Sequence, residues 1–125
     1  MQIGIVPRDL ETSLRFYRDT LGFAYAGPLE VIEGRVLHRF EVDGGTLKLL
    51  EVPGQPPPER RSPPGPFQSA TGIRWMTFTV EDLDGLVARL AGARWQLPVT
   101  ELRPGLRVGI VEDPDGNAVE LVERR

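Results

Sequence analysis

Residues 7–23 read PRDLETSLRFYRDTLGF, and this stretch predicts an amphipathic helix. Asp9 is a residue type that caps helix N-termini, because its side-chain oxygens accept hydrogen bonds from free backbone N–H groups. Gly22 is typical of the residue that ends a helix. Between them, apolar side chains recur at helical spacing on one face: Leu10, Leu14, Tyr17 and Leu21. The segment therefore predicts a helix with one side packed against a core.

A second stretch, residues 80–93, repeats this pattern as VEDLDGLVARLAGA. Asp82 stands in the capping position and Gly92 in the stop position. Asp82 lies 73 residues after Asp9. The spacing indicates an internal repeat.

The ends of the two halves match at nearly the same offset. Residues 42–52 read VDGGTLKLLEV and residues 113–123 read DPDGNAVELVE, and an offset of 72 places Asp43-Gly44 on Asp115-Gly116. Each segment is typical of two strands joined by a turn that contains glycine. The polar residues of DPDGN therefore indicate a hairpin turn rather than a metal site. Two anchors at nearly one offset predict that the chain is a duplication.

Each half also opens with a short strand of alternating side chains. In IRWMTFTV (73–80), Met76 and Phe78 share one face, while Trp75 and Thr77 share the other. Residues 2–6 alternate in the same way. Three further strands follow each helix, near 21–28, 35–42 and 46–52 and near 94–102, 106–112 and 117–123. The predicted class is α+β, with one face of each sheet on its helix and the other left for the sister sheet or a ligand.

The segment between the halves, residues 53–72, holds 7 of the 12 prolines. Proline fixes the backbone and removes an N–H donor, which predicts an extended, semi-rigid connector. The same composition also fits a Pro-rich recognition segment. The predicted organisation is one domain over 1–125, with module one at 1–52, the Pro-rich linker at 53–72 and module two at 73–125.

Composition excludes several classes of function. The 125 residues carry 15 Lys plus Arg and 18 Asp plus Glu, a net charge of −3, which argues against a nucleic-acid partner. The absence of Cys excludes disulfides and thiolate metal sites, and the single His excludes sites that need two. No apolar stretch approaches the roughly 20 residues that span a bilayer. We therefore expect no membrane association and a cytoplasmic location.

Two motifs resemble signatures of the vicinal oxygen chelate superfamily, the group of glyoxalase I, bleomycin-resistance proteins and extradiol dioxygenases. The first is DLETSLRFYRDTLGF (9–23) and the second is GLRVGIVEDPDGNAVELVE (105–123). The resemblance spans essentially the whole chain. It implies a glyoxalase-like fold, in which two βαβββ modules form a curved mixed sheet around a cavity. It also implies a homodimer, with or without exchange of modules, since the cavity is usually completed by a second copy.

Metal-dependent members of that superfamily carry ligands on the first and last strands of each module. The resemblance assigns those positions to Gln2 and Lys48 in module one and to Trp75 and Glu120 in module two. An indole is a donor only and a Lys ammonium has no lone pair, so two of the four cannot bind a divalent cation. His38 could replace a missing ligand if its strand turned it inward, but its apolar neighbours favour a buried or edge His with its hydrogen bonds satisfied. We therefore expect no metal and no other cofactor.

The same positions suggest how a small molecule would be held. Trp75 offers a flat face for stacking on an aromatic or conjugated ligand. Lys48 would hold a carboxylate, phenolate or phosphate, or alternatively form a purely structural ion pair with Glu120. Alternation along residues 107–111 places Arg107 on the cavity side as a second cation, although a solvated Arg fits as well. Trp95 fits either a cavity wall or the core.

Two classes of function fit these residues. One is a metal-free binding protein that sequesters an aromatic ligand, as the resemblance to bleomycin- and mitomycin-resistance proteins implies. The other is a lyase- or isomerase-type enzyme, either metal-independent with Lys48 and Glu120 as acid and base or using an atypical metal site. The absence of metal ligands favours binding, and the identity of the ligand is not readable from the sequence. The candidate ligand-binding residues are Gln2, Lys48, Trp75, Arg107 and Glu120.

Overall fold

The computed structural model describes residues 1–54 and 65–125, without the side chain of Ile32. These residues form two compact units, one before and one after residues 55–64. The predicted linker at 53–72 therefore lies partly outside the described residues. In the described ranges, neither helical segment has the length and apolar character needed to cross a bilayer.

The first unit is a four-stranded sheet with one helix. Its elements in chain order are β1 (Gln2–Ile5), α1 (Leu10–Leu14) continuing as a π-helical segment (Arg15–Thr20), β2 (Ala24–Glu30), a short turn (Ile32–Gly34), β3 (Val36–Val42) and β4 (Gly45–Glu51). The strands lie in the order β1-β4-β3-β2. β1 runs parallel to β4, and the other two pairs are antiparallel.

The second unit repeats this arrangement. After a 3₁₀ turn (Phe67–Ser69) come β5 (Trp75–Thr79), α2 (Leu83–Arg89), β6 (Trp95–Arg103), β7 (Leu106–Glu112) and β8 (Ala118–Arg124). The strand order is β5-β8-β7-β6, again with the first strand parallel to the last. Each sheet is mixed and remains open at its edges. The prediction of an α+β fold with two βαβββ modules is confirmed.

The two helices begin differently although both follow an Asp. Asp82 caps α2, because its Oδ1 accepts a hydrogen bond from the backbone N–H of Gly85 at 3.0 Å. Asp9 stands at the same place before α1, but its Oδ2 accepts from the hydroxyl of Thr12 at 2.8 Å and from no backbone N–H. The predicted side-chain cap is therefore present in α2 and absent in α1.

The first helical segment is extended by a wider last turn. The N–H of Leu21 donates to the carbonyl of Phe16, five residues earlier, at 2.9 Å. Gly22 then adopts a φ of 74°, which ends the segment as predicted. Because the helical chain occupies these residues, β2 begins at Ala24 rather than near residue 21.

Both predicted hairpin turns are present. Asp43 and Gly44 join β3 to β4 with φ of 52° and 69°, the backbone of a tight turn between paired strands. In the second unit, Oδ1 of Asp113 accepts from the N–H of Asp115 at 2.9 Å and of Asn117 at 2.8 Å. The DPDGN segment is thus a turn organised by Asp113, as predicted.

Each sheet buries one face against its own helix. In the first unit, Tyr17 is completely buried and its ring lies 6.3 Å from that of Phe40. In the second, Leu83 at the start of α2 is completely buried, and the helix-facing side chains of Phe78 and Leu121 are buried as well. The opposite face of each sheet carries four of the five candidate site residues, Gln2, Lys48, Trp75 and Glu120.

Candidate functional site

Lys48 and Gln2 lie on the face of the first sheet that points away from α1, here called its helix-distal face. Leu47 and Leu49 are 1% and 0% exposed on the helix side, so alternation places Lys48 on the other side. Gln2 pairs with Thr46 on β4, two residues before Lys48, and shares that face. The structure thus brings the two predicted residues of module one together.

A second cation, Arg39, lies directly opposite Lys48 on β3. Its neighbours His38 and Phe40 are buried on the helix side, so Arg39 points to the helix-distal face. Within the described residues of this unit, neither cation forms an ion pair, and Nη2 of Arg39 donates only to the carbonyl of Ala26 at 3.4 Å. Sequence reasoning missed Arg39, although the alternation that predicted a buried His38 implies that Arg39 faces the other way.

Trp75 and Glu120 lie on the helix-distal face of the second sheet. Met76 and Phe78 are buried on the helix side, so Trp75 and Thr77 point the other way. Thr77 pairs with Glu120 on β8, and its hydroxyl donates to Oε1 of Glu120 at 2.8 Å. Here too the structure brings the two predicted residues together on neighbouring strands.

The indole of Trp75 is 49% exposed but is held in place from one side. The ring of Phe67 packs edge-on against it, with ring centroids 5.1 Å apart and an interplanar angle of 69°. The backbone of Phe67 is itself anchored. Its N–H donates to Oε1 of Gln96 at 2.7 Å, and its carbonyl accepts from Nε of Arg74 at 3.0 Å. An aromatic surface is therefore fixed and left partly uncovered.

The predicted orientation of Arg107 is wrong. Alternation on β7 had placed it on the cavity side, but in the register of the sheet it pairs with Glu123 on the helix side. Its guanidinium donates to Oδ1 of Asp84 at 2.7 Å and to Oε1 of Glu123 at 3.2 Å. These two carboxylates hold Arg107 at the start of α2, so it does not add a cation to the helix-distal face.

Two further residues lie on the helix sides of their sheets. His38 is 9% exposed, with Nδ1 at 2.8 Å from the hydroxyl of Tyr25 and Nε2 at 3.1 Å from Oε1 of Glu51. The prediction of a buried, hydrogen-bonded His is confirmed. Trp95, which is half-buried, packs over the backbone of Gly109 on the helix side of β7, so it does not lie on the helix-distal face.

The four positions that correspond to metal ligands do not fit a divalent cation. Lys48 and Trp75 offer no lone pair, and Arg39 adds a second positive charge beside Lys48. Over residues 1–54 and 65–125, no three His, Asp or Glu side chains come close enough to hold a metal ion. Lys48 and Glu120 belong to different units, and the ion pair between them stays a prediction.

Comparison with known families agrees with the motifs. A model described as the Glyoxalase/Bleomycin resistance protein/Dioxygenase superfamily matches residues 2–121. The chain belongs to this superfamily. The membership predicted from two sequence motifs is therefore confirmed, and the glyoxalase-like arrangement of strands and helices is that of the family.

Individual known proteins resemble the chain along nearly its whole length. The uncharacterized protein YaeR of Escherichia coli (strain K12) is 31% identical over 125 residues, which cover 98% of this chain and 93% of that protein. A glyoxalase family protein of Bacillus cereus has a TM-score of 0.79 at 20% identity, over 98% of this chain and 91% of that one. TnmS3 of Streptomyces sp. CB03234, an antibiotic binding protein, has a TM-score of 0.65 at 23% identity, over 99% and 93%. At these identities the two structures show a shared fold alone.

Proposed function

We propose that this superfamily member is a metal-free binding protein that sequesters a small aromatic or conjugated molecule against Trp75. The observation that carries the proposal is an indole 49% exposed, yet braced by Phe67 and its backbone anchors. A braced aromatic surface loses little conformational freedom when a flat ligand stacks on it. The Thr77–Glu120 pair beside it supplies polar groups that orient a ligand.

The residues at the metal-ligand positions support binding over metal-assisted chemistry, because two of the four have no lone pair to donate. TnmS3, which shares this fold, is an antibiotic binding protein, and this agrees with a small-molecule ligand. The proposal therefore includes neither a resident metal nor another cofactor. It includes a small molecule as the binding partner and a cytoplasmic location for the protein.

Tryptophan emission tests the proposal. In a Trp95→Phe background, Trp75 is the only emitting tryptophan, because the chain has two. We expect bleomycin or a planar polyketide to change its emission, and Trp75→Ala to weaken binding of the same probe by about 1–3 kcal/mol, the scale of aromatic stacking on a base. The matched control is Trp75→Phe with Trp95 intact, whose emission should not respond.

Two outcomes would contradict the proposal. In the first, Trp75→Ala lowers the free energy of unfolding but leaves probe affinity unchanged, which would make Trp75 a core residue. In the second, the bound probe is chemically converted, and Lys48→Met or Glu120→Gln abolishes the conversion. That result would establish an enzyme with Lys48 and Glu120 as acid and base.

A further inference from the structure

The helix-distal face of the first sheet places two cations side by side. Arg39 on β3 and Lys48 on β4 are directly opposite each other in an antiparallel pair. Side chains at such positions have Cβ atoms about 4.5–5.5 Å apart, and like charges there repel. A pair of this kind is stabilised when an anion lies between the two groups.

The hydrogen bonds of Arg39 are incomplete. Its Nε is buried and has no partner, and it is the one buried side-chain nitrogen or oxygen of which this is true in residues 1–54 and 65–125. The contact of its Nη2 with the carbonyl of Ala26 is long, at 3.4 Å. A buried donor without an acceptor is rare and costly, so the chain itself does not satisfy the hydrogen bonds of this guanidinium.

No carboxylate of this unit neutralises the pair. Glu41 is the nearest in sequence on the same face, two residues from Arg39 on β3, but it pairs across with Thr46 and is exposed. Neither cation forms an ion pair with Glu41 or with another acidic side chain among the described residues of the unit. The positive charge of Arg39 and Lys48 is therefore uncompensated within this unit.

There is also space beside the pair. Gly4 of β1 flanks Lys48 on the side away from Arg39, and a Cβ built on Gly4 would meet no atom within 4 Å. Gln2, two residues earlier on the same face, offers an amide that can donate a further hydrogen bond. A ligand group can thus reach Lys48 over Gly4.

We propose that Arg39 and Lys48 form a subsite for an oxyanion, the carboxylate or phosphate of a small molecule. A planar guanidinium is suited to two-point binding of an oxyanion, while Lys48 adds a compact charge on the other side. The inference deepens the proposed function and rests on it for the claim that the occupant is a small molecule.

Calorimetric titration of the full chain at constant ionic strength tests the subsite. The probes are inorganic phosphate, benzoate, and benzamide as the neutral analogue of benzoate. We expect at least one of the two anions to bind and benzamide to bind at least about tenfold more weakly than benzoate wherever benzoate binds. Benzoate binding would indicate a carboxylate ligand, and phosphate binding alone a phosphorylated one. If neither benzoate nor phosphate binds, the proposed subsite is wrong.

Four variants locate the anion. Arg39→Gln and Lys48→Gln should each lower the affinity for the anion by at least about tenfold. Arg39→Lys keeps the charge but lacks the planar guanidinium, so it should weaken anion binding as well. Arg15→Gln, the same change of charge at an exposed position of the helical segment, should bind as the original chain does. The proposal is wrong if Arg39→Gln binds the anion as tightly as the original chain does. It is also wrong if Arg15→Gln loses as much affinity as Arg39→Gln.

Thermal unfolding provides a control for folding. In buffer free of the bound anion, Lys48→Gln should unfold at the same temperature as the original chain or higher, because a repulsion has been removed. Adding that anion should raise the unfolding temperature of the original chain and leave that of Lys48→Gln unchanged. An equal rise in both would overturn the subsite. Anion binding that requires Arg39 and Lys48 supports the subsite by itself. If Trp75 emission then responds to no aromatic probe, the proposed function fails while the subsite stands.

Discussion

Two glycines on strands, Gly109 and Gly4, differ in how closely other atoms approach the position where a Cβ would lie. At Gly109 on β7, a Cβ would lie 2.8 Å from Cζ3 of Trp95 and 3.1 Å from Cγ2 of Val99. At Gly4 on β1, a Cβ would meet nothing within 4 Å. The absence of a side chain at Gly109 lets Trp95 and Val99 pack against the backbone, whereas the absence of one at Gly4 leaves open space beside Lys48.

We predict that Gly109→Ala lowers the free energy of unfolding by about 1–3 kcal/mol, because the added methyl forces the Trp95 ring to shift in a packed core. Urea denaturation followed by far-UV circular dichroism measures the change. The matched control is Gly4→Ala, which should unfold at the same urea concentration as the original chain or higher. Equal stability of the two variants would contradict the packing described for Gly109.

At the scale of elements, four charged side chains tie the start of α2 to the end of the second sheet. Arg107 and Arg125 each contact both Asp84 and Glu123, at 2.7–3.2 Å. The side chain of Glu123 is 4% exposed, and the N–H of Leu83 donates to its Oε2 at 2.9 Å. That backbone hydrogen bond, followed by Arg125, lowers the pKa of Glu123 below its ordinary 4.5. The hydrogen bond from Arg107 likewise lowers the pKa of Asp84 below 3.8.

These depressed pKa values predict loss of stability in acid. The folded state binds fewer protons than the unfolded state, so the contribution is complete above the ordinary pKa values and is lost as pH falls through the folded ones. We expect the urea midpoint to decrease from about pH 5 to about pH 3. Glu123→Gln should flatten this decrease, while Glu81→Gln, at an exposed carboxylate just before α2, should keep the original slope. An unchanged slope in Glu123→Gln would show that the network does not control acid stability.

At the scale of the whole molecule, apolar side chains are exposed on edge strands. Leu29 on β2 is 45% exposed and Leu102 on β6 is 60% exposed, and both strands end their sheets. Edge strands also carry unpaired backbone groups, which proteins usually cover. A twofold contact covers such surface with a single patch, so the homodimer predicted from the sequence remains the expected assembly.

Sedimentation equilibrium at micromolar concentration should therefore give about twice the chain mass of 13.9 kDa. Leu29→Lys combined with Leu102→Lys should shift the mass toward that of one chain, because a charge opposes burial of the edges. Val87→Lys on α2, a site 37% exposed, is the control and should leave the mass unchanged. A mass near 13.9 kDa for the original chain would reject the dimer.

The fold was predictable because its determinants are local. The helical spacing in residues 9–21, the glycine turns and the offset of 72–73 residues between the halves are all properties of short segments. Alternation along β1 and β5 separated Gln2 and Trp75 from their apolar neighbours, and the structure places both on the faces opposite their helices. The π-helical turn before Gly22 was not predictable, because the same apolar spacing suits an α-helix.

What only the tertiary structure decided is which strand residues face each other and which face meets the helix. On β7, Val108, Ile110 and Val111 are all buried, so apolar character marks both faces and does not show which one holds Arg107. The sequence by itself determined that Arg39 and Lys48 lie on adjacent strands. Their position directly opposite each other follows from the two-residue turn at Asp43 and Gly44, which sets the register of β3 and β4. The pairing of Gly4 with Lys48 joins parallel strands that no tight turn connects, so it depends on the packing of the whole sheet.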